Sequence, residues 1–438
     1  MRSATHTLVS FVREVDAEQS VLDHAARCVL DLTGVAIAGA QTPMAKIGAS
    51  FAREQFAAGG CAVIASRATS SATGATWINA TSASALDMDD GNRIAMGHPG
   101  ANVIPAALAI AEQTQASGRQ FLNALVAGYE VAVRASAARV AWYKDEMYST
   151  GIWGVFGATA AAGKLLCFDE VTLQSALGIA GSHGVFPPGG MQSLHAMVKE
   201  TIAWSAMTGI SSALLARDGF IGPADFFDYT KRWDTASLVD GLGAKHAILN
   251  TYFKPYAVCR WAHAAVDAAL SLKHRHALAI DDIEAIDVAS FYEVTRLGEY
   301  EPRNTIAAQF SMPFAIAAAL LHDKISPAEV SEAHIGDAAL LALARKVHLS
   351  VDDELDREFP EKTISRVTLR TRRGEFQATV EYPRGNPENP LSDAELDAKF
   401  VELTHDLVSD ERSRALRDAI RELPRAPSVS TFTKLLQY

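Results

Sequence analysis

The feature that most constrains the fold is a long succession of helical segments built largely from small residues. Between about residues 20 and 217, apolar residues recur with the period of an α-helix, and Gly and Pro interrupt the pattern. Ala, Gly and Ser dominate these segments, which lets neighbouring helices approach closely and become buried on nearly every side. No heptad repeat with charged flanks persists, so the pattern predicts a compact helical domain and not a coiled coil. Seven segments each predict one helix: 21–40, 75–87, 103–115, 121–137, 154–166, 171–182 and 195–219.

The pattern changes near residue 250. Residues 281–294 alternate like a strand, and residues 364–383 predict two strands joined around Arg372-Arg373-Gly374. Helical spacing returns in residues 305–323 and 337–347. We therefore predict a mainly α protein with a large all-helical domain and a smaller α+β domain. The expected boundaries are 1–254 for the helical domain, 255–392 for the α+β domain, and 393–438 for helices that return to the helical domain.

Composition excludes several classes of function. The chain has 438 residues and a net charge of -11, with no dense cluster of Lys and Arg, which argues against a nucleic-acid partner. Its four cysteines lie far apart without a CxxC pair, so neither a disulfide framework nor a zinc site is indicated. No apolar stretch approaches the length that spans a bilayer, and the N-terminus does not resemble a signal peptide. We expect a cytoplasmic protein without a membrane partner.

A polar loop between two Ala-rich helices is the strongest local indication of function. The stretch 87–105 carries three aspartates, Arg93 and His98. Core helices without a further role are usually joined by short turns, whereas a positioned loop on a rigid scaffold is where chemistry is commonly placed. The structural alternative is that Asp87 and Asp90 cap helices and that His98-Pro99 simply begins one.

Two further segments contain groups that suit a site. Residues 147–157 place hydroxyls and glycines directly before a helix, whose first amides would hold a carboxylate; an ordinary cap by Ser149 or Thr150 is the alternative. Residues 181–195 form a long Gly- and Pro-containing connection, which is uncommon in a compact domain unless it lines a site. His195 at its end would donate to a substrate, or would be a structural histidine.

Residues 253–263 bring Lys254, Arg260 and His263 together at the expected domain junction, a preferred place for clefts. Lys and Arg suit the recognition of carboxylates. A surface basic run is the alternative, and the apolar or aromatic residues Tyr256 and Trp261 among these cations argue against it.

The chain resembles the MmgE/PrpD family, which includes 2-methylcitrate dehydratase, cis-aconitate decarboxylase and iminodisuccinate epimerase. Ordered blocks that cover nearly the whole chain carry the resemblance. They are ALDMDD and GHPGANVIPAALA within 85–109, GYEVAVR at 128–134, STGIWGVFGATAAAGKLL at 149–166, LLARDGFIGP at 214–223, FKPYAVCRWAH at 253–263, AAQFSMPFAIAAALL at 307–321 and GNPENPLSDAELDAKF at 385–400.

The resemblance implies a homodimer with the active site between a helical and an α+β domain. It also implies chemistry without a metal or an organic cofactor. The common theme of the family is proton transfer at a carbon next to a carboxylate in a small di- or tricarboxylic acid.

Several family positions match this chain and others do not. The Asp-rich helix end matches Asp87, Asp89 and Asp90, the His-Pro matches His98-Pro99, and the family lysine matches Lys254. Three positions depart from the family pattern: Tyr148 stands where a histidine is usual, Gly91 where Thr or Ser often follows Asp-Asp, and Gln192-Ser193 where a lysine is usual. Lys199, expected one turn into the next helix, is a candidate replacement for that missing charge.

We therefore predict a cofactor-independent lyase or isomerase of a small polycarboxylate. His98 is the expected general acid or base, tuned by Asp87 or Asp90. Lys254 and Arg260 are expected to bind carboxylates and stabilise enolate-like charge, and Tyr148 to donate a hydrogen bond or proton. The remaining predicted substrate-binding residues are Arg93, Gln192, His195 and His263. Epimerisation, and an inactive homologue that serves as a binding or assembly protein, are the alternatives.

Overall fold

The computed structural model describes residues 3–141, 149–185, 196–229 and 231–438. Its first part is helical. The helices there are α1 Ala4–Glu14, α2 Gln19–Gly39, α3 Pro43–Gln55, α4 Ala72–Ser84, α5 Pro99–Gln113, α6 Gly118–Ala137, α7 Thr150–Leu165, α8 Glu170–His183, α9 Ile202–Arg217, α10 Phe226–Tyr229 and α11 Thr235–Val239. Two short antiparallel ladders accompany them, β1 Cys61–Ala62 with β2 Thr69–Ser70, and β3 Gly91–Asn92 with β4 Thr251–Tyr252.

Helix α7 is the centre of the helical domain, with α5, α6 and α9 packed around it. It is buried along nearly its whole length, as the small-residue pattern predicts. Close approach is visible where α6 crosses α7, because a Cβ on Gly128 would lie 2.9 Å from the carbonyl oxygen of Gly157. Small residues thus let the helices pack backbone to backbone, which a bulkier sequence would prevent.

The second part contains one four-stranded sheet. Its strands are β5 Ile283–Ser290, β6 Val347–Val351, β7 Ser365–Thr371 and β8 Gly374–Val380, in the order β6-β5-β7-β8. Strand β6 is parallel to β5, whereas β7 is antiparallel to both β5 and β8. The helices of this part are α12 His263–His276, α13 Thr305–Gln309, α14 Met312–His322, α15 Ala338–Ala344 and α16 Asp353–Asp356. The strand predicted within 281–294 is present as β5, and the predicted hairpin around Arg372-Arg373 is formed by β7 and β8. Both predictions are confirmed.

Three predicted helices differ from the structure. The segment 195–219 becomes helical only at Ile202, after Lys199, Glu200 and Thr201, whose φ angles of 38°, 52° and 58° are left-handed. The segment 305–323 divides into α13 and α14, because Ser311 caps α14 and Pro313 lies in its first turn. The segment 337–347 ends as helix α15 at Ala344, and Val347 begins the edge strand β6.

The last helices, α17 Asp393–Thr404, α18 Asp410–Arg421 and α19 Ser430–Leu435, belong with the helical domain. Helix α17 packs on α2, where Phe400 lies against Gly34, and Leu416 and Phe432 join the same apolar core.

The loop after α4 lies where the two cores meet. Leu86 and Met88 pack with side chains of the α+β domain, although α4 itself lies in the helical domain. The ladder of β3 with β4 then joins this loop to the chain just before Lys254. We name residues 87–98 the acidic loop.

No helix in the described ranges is long and apolar enough to cross a membrane. Nor does this part of the chain bring together three or more His, Cys, Asp or Glu side chains in an arrangement that could hold a metal ion.

Candidate active site

The acidic loop directs two of its carboxylates into a small cavity at the domain junction. Asp87 and Asp89 both line this cavity, while Met88 between them is buried in the apolar core. Asp87 is 5% exposed and has a left-handed φ of 51°, a conformation that persists at a non-Gly residue only where the surroundings hold it. The cavity has a volume of about 340 Å³, its mouth included, and its described lining consists of Ser84, Asp87, Asp89, His98, Ala196, Lys199, Glu200, Ile202 and Phe310.

Asp87 is bound by two lysines that are distant in sequence. Its Oδ2 accepts from Lys254 Nζ at 2.6 Å, and its Oδ1 lies 3.3 Å from Lys199 Nζ. Burial by itself would raise the pKa of Asp87, but the charges of Lys199 and Lys254 outweigh burial and hold that pKa well below its usual range. Asp87 is therefore a carboxylate anion that positions cations, and it is a poor proton acceptor near neutral pH.

The other described contacts of the Lys199 ammonium group are with residues of the α+β domain. Its Nζ donates to Gln309 Oε1 at 2.5 Å and lies 5.0 Å from the centre of the Phe310 ring. Gln309 in turn donates to the carbonyl oxygen of Ala85 at 3.1 Å, so it connects α13 with the end of α4. Lys199, the candidate replacement for a missing family lysine, lines the cavity. It does so from a left-handed turn, and the prediction that it lies one turn inside a helix is wrong.

His98 presents one ring nitrogen to the loop, and its other ring nitrogen has no hydrogen-bond partner among the described residues. Nδ1 lies 3.0 Å from the carbonyl oxygen of Asp90 and 3.2 Å from Asp89 Oδ2. Both neighbours are acceptors, so Nδ1 carries a proton. No hydrogen bond to Nε2 is present within the described part of the chain. Burial lowers the pKa of His98, but the Asp89 carboxylate more than compensates and raises the pKa to about 9. His98 is thus an imidazolium, a proton donor, at neutral pH.

Asp90 performs the structural role that was the alternative for it. Its Oδ1 accepts from the amide of Gly100 at 2.9 Å, in the first turn of α5, and its Oδ2 accepts from Tyr129 Oη at 2.6 Å. Burial raises the pKa of Asp90 to about 7, against the opposing effect of the Tyr129 hydrogen bond. Asp90 is not part of the described cavity lining. The carboxylate beside the His98 ring is that of Asp89, and Asp90 offers the ring only its backbone carbonyl.

The start of α7 already holds a carboxylate, which comes from the chain itself. The amide of Thr150 donates to Glu200 Oε2 at 3.0 Å, and the Thr150 hydroxyl binds the same oxygen. Ser149 makes no side-chain cap, so the alternative of a cap by Ser149 is wrong, and the carboxylate at this helix terminus is that of Glu200. The Thr150 hydroxyl also accepts from the backbone amide of His98 at 3.2 Å. Glu200, His98 and the helix terminus therefore form one connected group.

Three predicted substrate-binding residues lie away from this cavity. Arg260 is buried and donates to the carbonyl oxygens of Arg384 and Pro383 at 2.9 and 3.0 Å. His263 contacts Arg260 NH1 through Nδ1 and the carbonyl of Val258 through Nε2. These hydrogen bonds engage both side chains with structural partners, and neither residue belongs to the described lining of the cavity.

Arg93 also departs from its predicted role. It pairs with Glu388 at 2.7 Å and lines a separate cavity of about 350 Å³, none of whose lining residues belongs to the first cavity. The cations that the structure places beside the acidic residues are Lys254 and Lys199 instead.

The departure at Gly91 has a steric reason. A Cβ at this position would lie 2.3 Å from the ring of Tyr252, its partner across the β3–β4 ladder. The hydroxyl residue that is common in the family therefore does not fit here. Three other predicted site residues, Tyr148, Gln192 and His195, lie outside the described residues.

The sequence analysis missed Gln309, Glu200 and Phe310. Gln309 stands in an otherwise apolar segment and is fully buried, which is a usable signal, since a buried amide requires partners. Nothing local in the sequence distinguishes Glu200 or Phe310 from residues of an ordinary helix.

Comparison with known proteins identifies the family. The model of the MmgE/PrpD N-terminal domain matches residues 6–241, and that of the MmgE/PrpD C-terminal domain matches residues 256–424. The "Cis-aconitate decarboxylase-like protein oryM" of Aspergillus oryzae is 24% identical over 477 aligned positions, which cover 99% of this chain and 97% of that protein. The chain belongs to the MmgE/PrpD family, as the sequence blocks predict.

Proposed function

We propose that this member of the MmgE/PrpD family is a lyase that removes carbon dioxide or water from a small di- or tricarboxylic acid. The family and the relative described as cis-aconitate decarboxylase-like support the lyase type. The observation that carries the proposal is the pairing, in one small cavity, of the proton donor His98 with the ammonium group of Lys199.

His98 is the proposed acid of the reaction. Its Nδ1 is held by Asp89 and by the carbonyl of Asp90, so Nε2 is the nitrogen available to exchange a proton with a bound molecule. The pKa of about 9 keeps this nitrogen protonated at neutral pH. An acid whose pKa lies somewhat above the working pH both carries its proton and can release it.

Lys199 is the proposed anchor for a substrate carboxylate. It lines the cavity, whereas Lys254 is fully buried behind Asp87. A carboxylate between Lys199 and His98 would receive charge-assisted hydrogen bonds from both.

Within the lyase class, the described groups favour decarboxylation. In that reaction the bond to the departing carboxylate breaks, its electron pair stays on the substrate, and a substrate carbon takes a proton, so a single proton donor is sufficient. Dehydration requires a base for the carbon-bound hydrogen as well as an acid for the departing hydroxyl. Among the described lining residues His98 is the only histidine, and Asp87 is held by its lysines as a poor base. The other two carboxylates of the described lining are also engaged, Asp89 with the His98 ring and Glu200 with the start of α7.

The test is incubation of the purified protein in deuterated water with a panel of small acids that includes cis-aconitate and 2-methylcitrate. Release of carbon dioxide with one deuterium in the product supports the decarboxylase form, and loss of water supports the dehydratase form. Deuterium exchange without net product would indicate an epimerase or isomerase instead. No reaction with any acid of the panel would contradict the proposal.

Two variants connect the activity with the site. We expect His98→Asn to lower turnover by about 100-fold or more, within the range that removal of a general acid produces. The matched control is His274→Asn, because His274 is an exposed histidine that also pairs with a carboxylate, that of Asp323. Near-normal turnover of His98→Asn would exclude His98 as the acid.

A further inference from the structure

A charged pair is buried beneath the acidic loop, outside the cavity. Lys399 of α17 donates to Asp31 Oδ1 of α2 at 2.6 Å. The Lys399 side chain is 6% exposed and that of Asp31 is fully buried. Asp31 lies between Leu30 and Leu32 in the most apolar part of α2. Such a pair is costly to desolvate, and apolar residues of similar size often serve packing equally well. Packing alone therefore does not explain why Lys399 and Asp31 are buried here.

Lys399 has a second partner, which belongs to the acidic loop. The ammonium group donates to the carbonyl oxygen of Met88 at 2.8 Å. That carbonyl belongs to the peptide that joins Met88 to Asp89, so Lys399 holds the backbone between the two cavity carboxylates. The side chains of the two aspartates next to Met88 are both paired: Asp87 forms ion pairs with its two lysines, and Asp89 pairs with His98.

Neither Lys399 nor Asp31 belongs to the described cavity lining. The direct contact of the pair with the acidic loop is the bond to the Met88 carbonyl, and the charge of Asp31 also acts at a distance on Asp89 and Lys254. Asp31 also retains one oxygen without a hydrogen-bond partner among the described residues. An arrangement that served only to pin α17 to α2 would not need a lysine shared with a loop carbonyl.

We propose that Lys399 is a positioning residue, which sets the distances of Asp89 from His98 and of Asp87 from Lys254 by holding the carbonyl of Met88. Asp31 compensates the charge of the buried ammonium group, whose position at the loop is set by its bond to the Met88 carbonyl. The C-terminal helix thereby contributes to the site without touching it. The catalytic consequence rests on the proposed function, but the geometric consequence does not.

The decisive variant is Lys399→Met combined with Asp31→Leu, which removes the whole pair and leaves no buried charge without a partner. If this variant does not fold, Lys399→Met with Asp31→Asn takes its place. The matched control is Lys273→Met, since Lys273 also donates to one carbonyl, that of Leu320, and to one aspartate, Asp323.

Two readouts separate positioning from stability. The first is the pH dependence of deuterium exchange at the imidazole C2 carbon of His98, followed by mass spectrometry, which reports the pKa of that ring without any substrate. The largest charge effects on His98 come from Asp89, Lys254 and Asp87, and the charged side chains of Lys199 and Glu200 line the same cavity. The second readout is kcat and KM on whichever acid proves to be the substrate.

We expect the pair variant to fold, with the pKa of His98 displaced toward its ordinary value by about one pH unit or more. We also expect kcat to fall by about 10- to 100-fold with little change in KM, the scale expected when catalytic groups are misplaced by about 1 Å. Asp31→Asn alone keeps the bond from Lys399 to Met88 and should leave the His98 titration near that of the parent protein.

The proposal is overturned if the pair variant titrates like Lys273→Met, because the pair is then only a structural contact. It is also overturned if Asp31→Asn shifts His98 as strongly as the loss of Lys399, since charge and not the Met88 contact would then be responsible. An absence of activity in the parent protein would count against the proposed function, and it would leave the C2-exchange result intact.

Discussion

Replacement of Asp87 by Asn tests the central claim that this carboxylate holds two buried cations. The variant keeps the shape of the side chain and removes its charge. Lys254 and Lys199 would then lack their shared counterion, at a position where the one side chain is fully buried and the other is 5% exposed. The other partners of Lys199 in the described part of the chain, Gln309 and the Phe310 ring, carry no negative charge.

The magnitude follows from the two distances. Unit charges at 2.6 and 3.3 Å attract by roughly 6 and 5 kcal/mol at an effective dielectric constant of about 20. Desolvation offsets much of this attraction, and removal of one partner of a buried pair typically costs about 3–5 kcal/mol. We therefore expect Asp87→Asn to lower the free energy of unfolding by about 4 kcal/mol.

The assay is urea denaturation followed by tryptophan fluorescence and circular dichroism, at several pH values. Because the folded pKa of Asp87 is depressed, its contribution is present above the unfolded pKa of about 3.9 and is lost only as pH falls below that value. The deficit of the variant should thus be constant from about pH 5 to 8. Asp282→Asn, which breaks the more exposed pair with Arg372, should change stability by less than about 1 kcal/mol. A deficit for Asp87→Asn no larger than that of this control would refute the reasoning.

Three further predictions concern single positions. Because the pKa of His98 is raised to about 9, protonation of His98 stabilises the fold fully below about pH 6.5, and this stabilisation is lost as pH rises through about 9. The free energy of unfolding of the parent protein relative to His98→Asn should therefore fall by roughly 3 kcal/mol over that range, as measured by denaturation. Gly91→Ser should destabilise by about 1–3 kcal/mol, because the new side chain meets the ring of Tyr252, and Tm is the measurement. Gln309→Leu should raise KM for an acid substrate by about 10- to 150-fold, because Lys199 loses the oxygen that orients it and a hydrogen bond to a charged group contributes about 1.5–3 kcal/mol; steady-state kinetics measures this.

Controls for these variants are available elsewhere in the chain. Gly336→Ser introduces the same side chain where a Cβ meets nothing within 4 Å and should leave Tm unchanged. Gln377→Leu removes an exposed amide that binds Thr368 and should leave KM unchanged. A Gly91→Ser protein as stable as Gly336→Ser would show that the ladder can separate from Tyr252. An unchanged KM in Gln309→Leu would show that Lys199 does not depend on Gln309.

The elements of the site that sequence analysis located are those with a local signature. His98 and Asp87 lie in a polar loop between apolar helices, and Lys254 lies in an apolar segment at the domain junction, so each stands out against its own neighbours. Lys199 was misplaced because the helical spacing of residues 195–219 gives no sign of three left-handed residues before Ile202. Contacts with Thr150 and Gln309, on other elements, accompany that turn.

Arg260 and His263 lie away from the cavity, although the sequence grouped them with Lys254. Their composition and spacing suggest an anion site, yet carbonyl oxygens of residues 383 and 384 take up the guanidinium. Whether a cation binds a ligand or its own chain depends on which acceptors the fold brings near it. That information lies more than a hundred positions away in the sequence.

The helical packing of small residues, the strands of the second domain and the polar loop could be predicted from periodicity and residue size, which act over a few neighbouring residues. The family could be predicted from its ordered sequence blocks. The pairing of Asp89 with the ring of His98, the capping of a helix by Asp90 and the sharing of Asp87 by Lys254 and Lys199 became visible only in the folded chain. Electrostatic pairing depends on distances of a few ångströms between residues that the chain separates widely, and folding alone sets those distances.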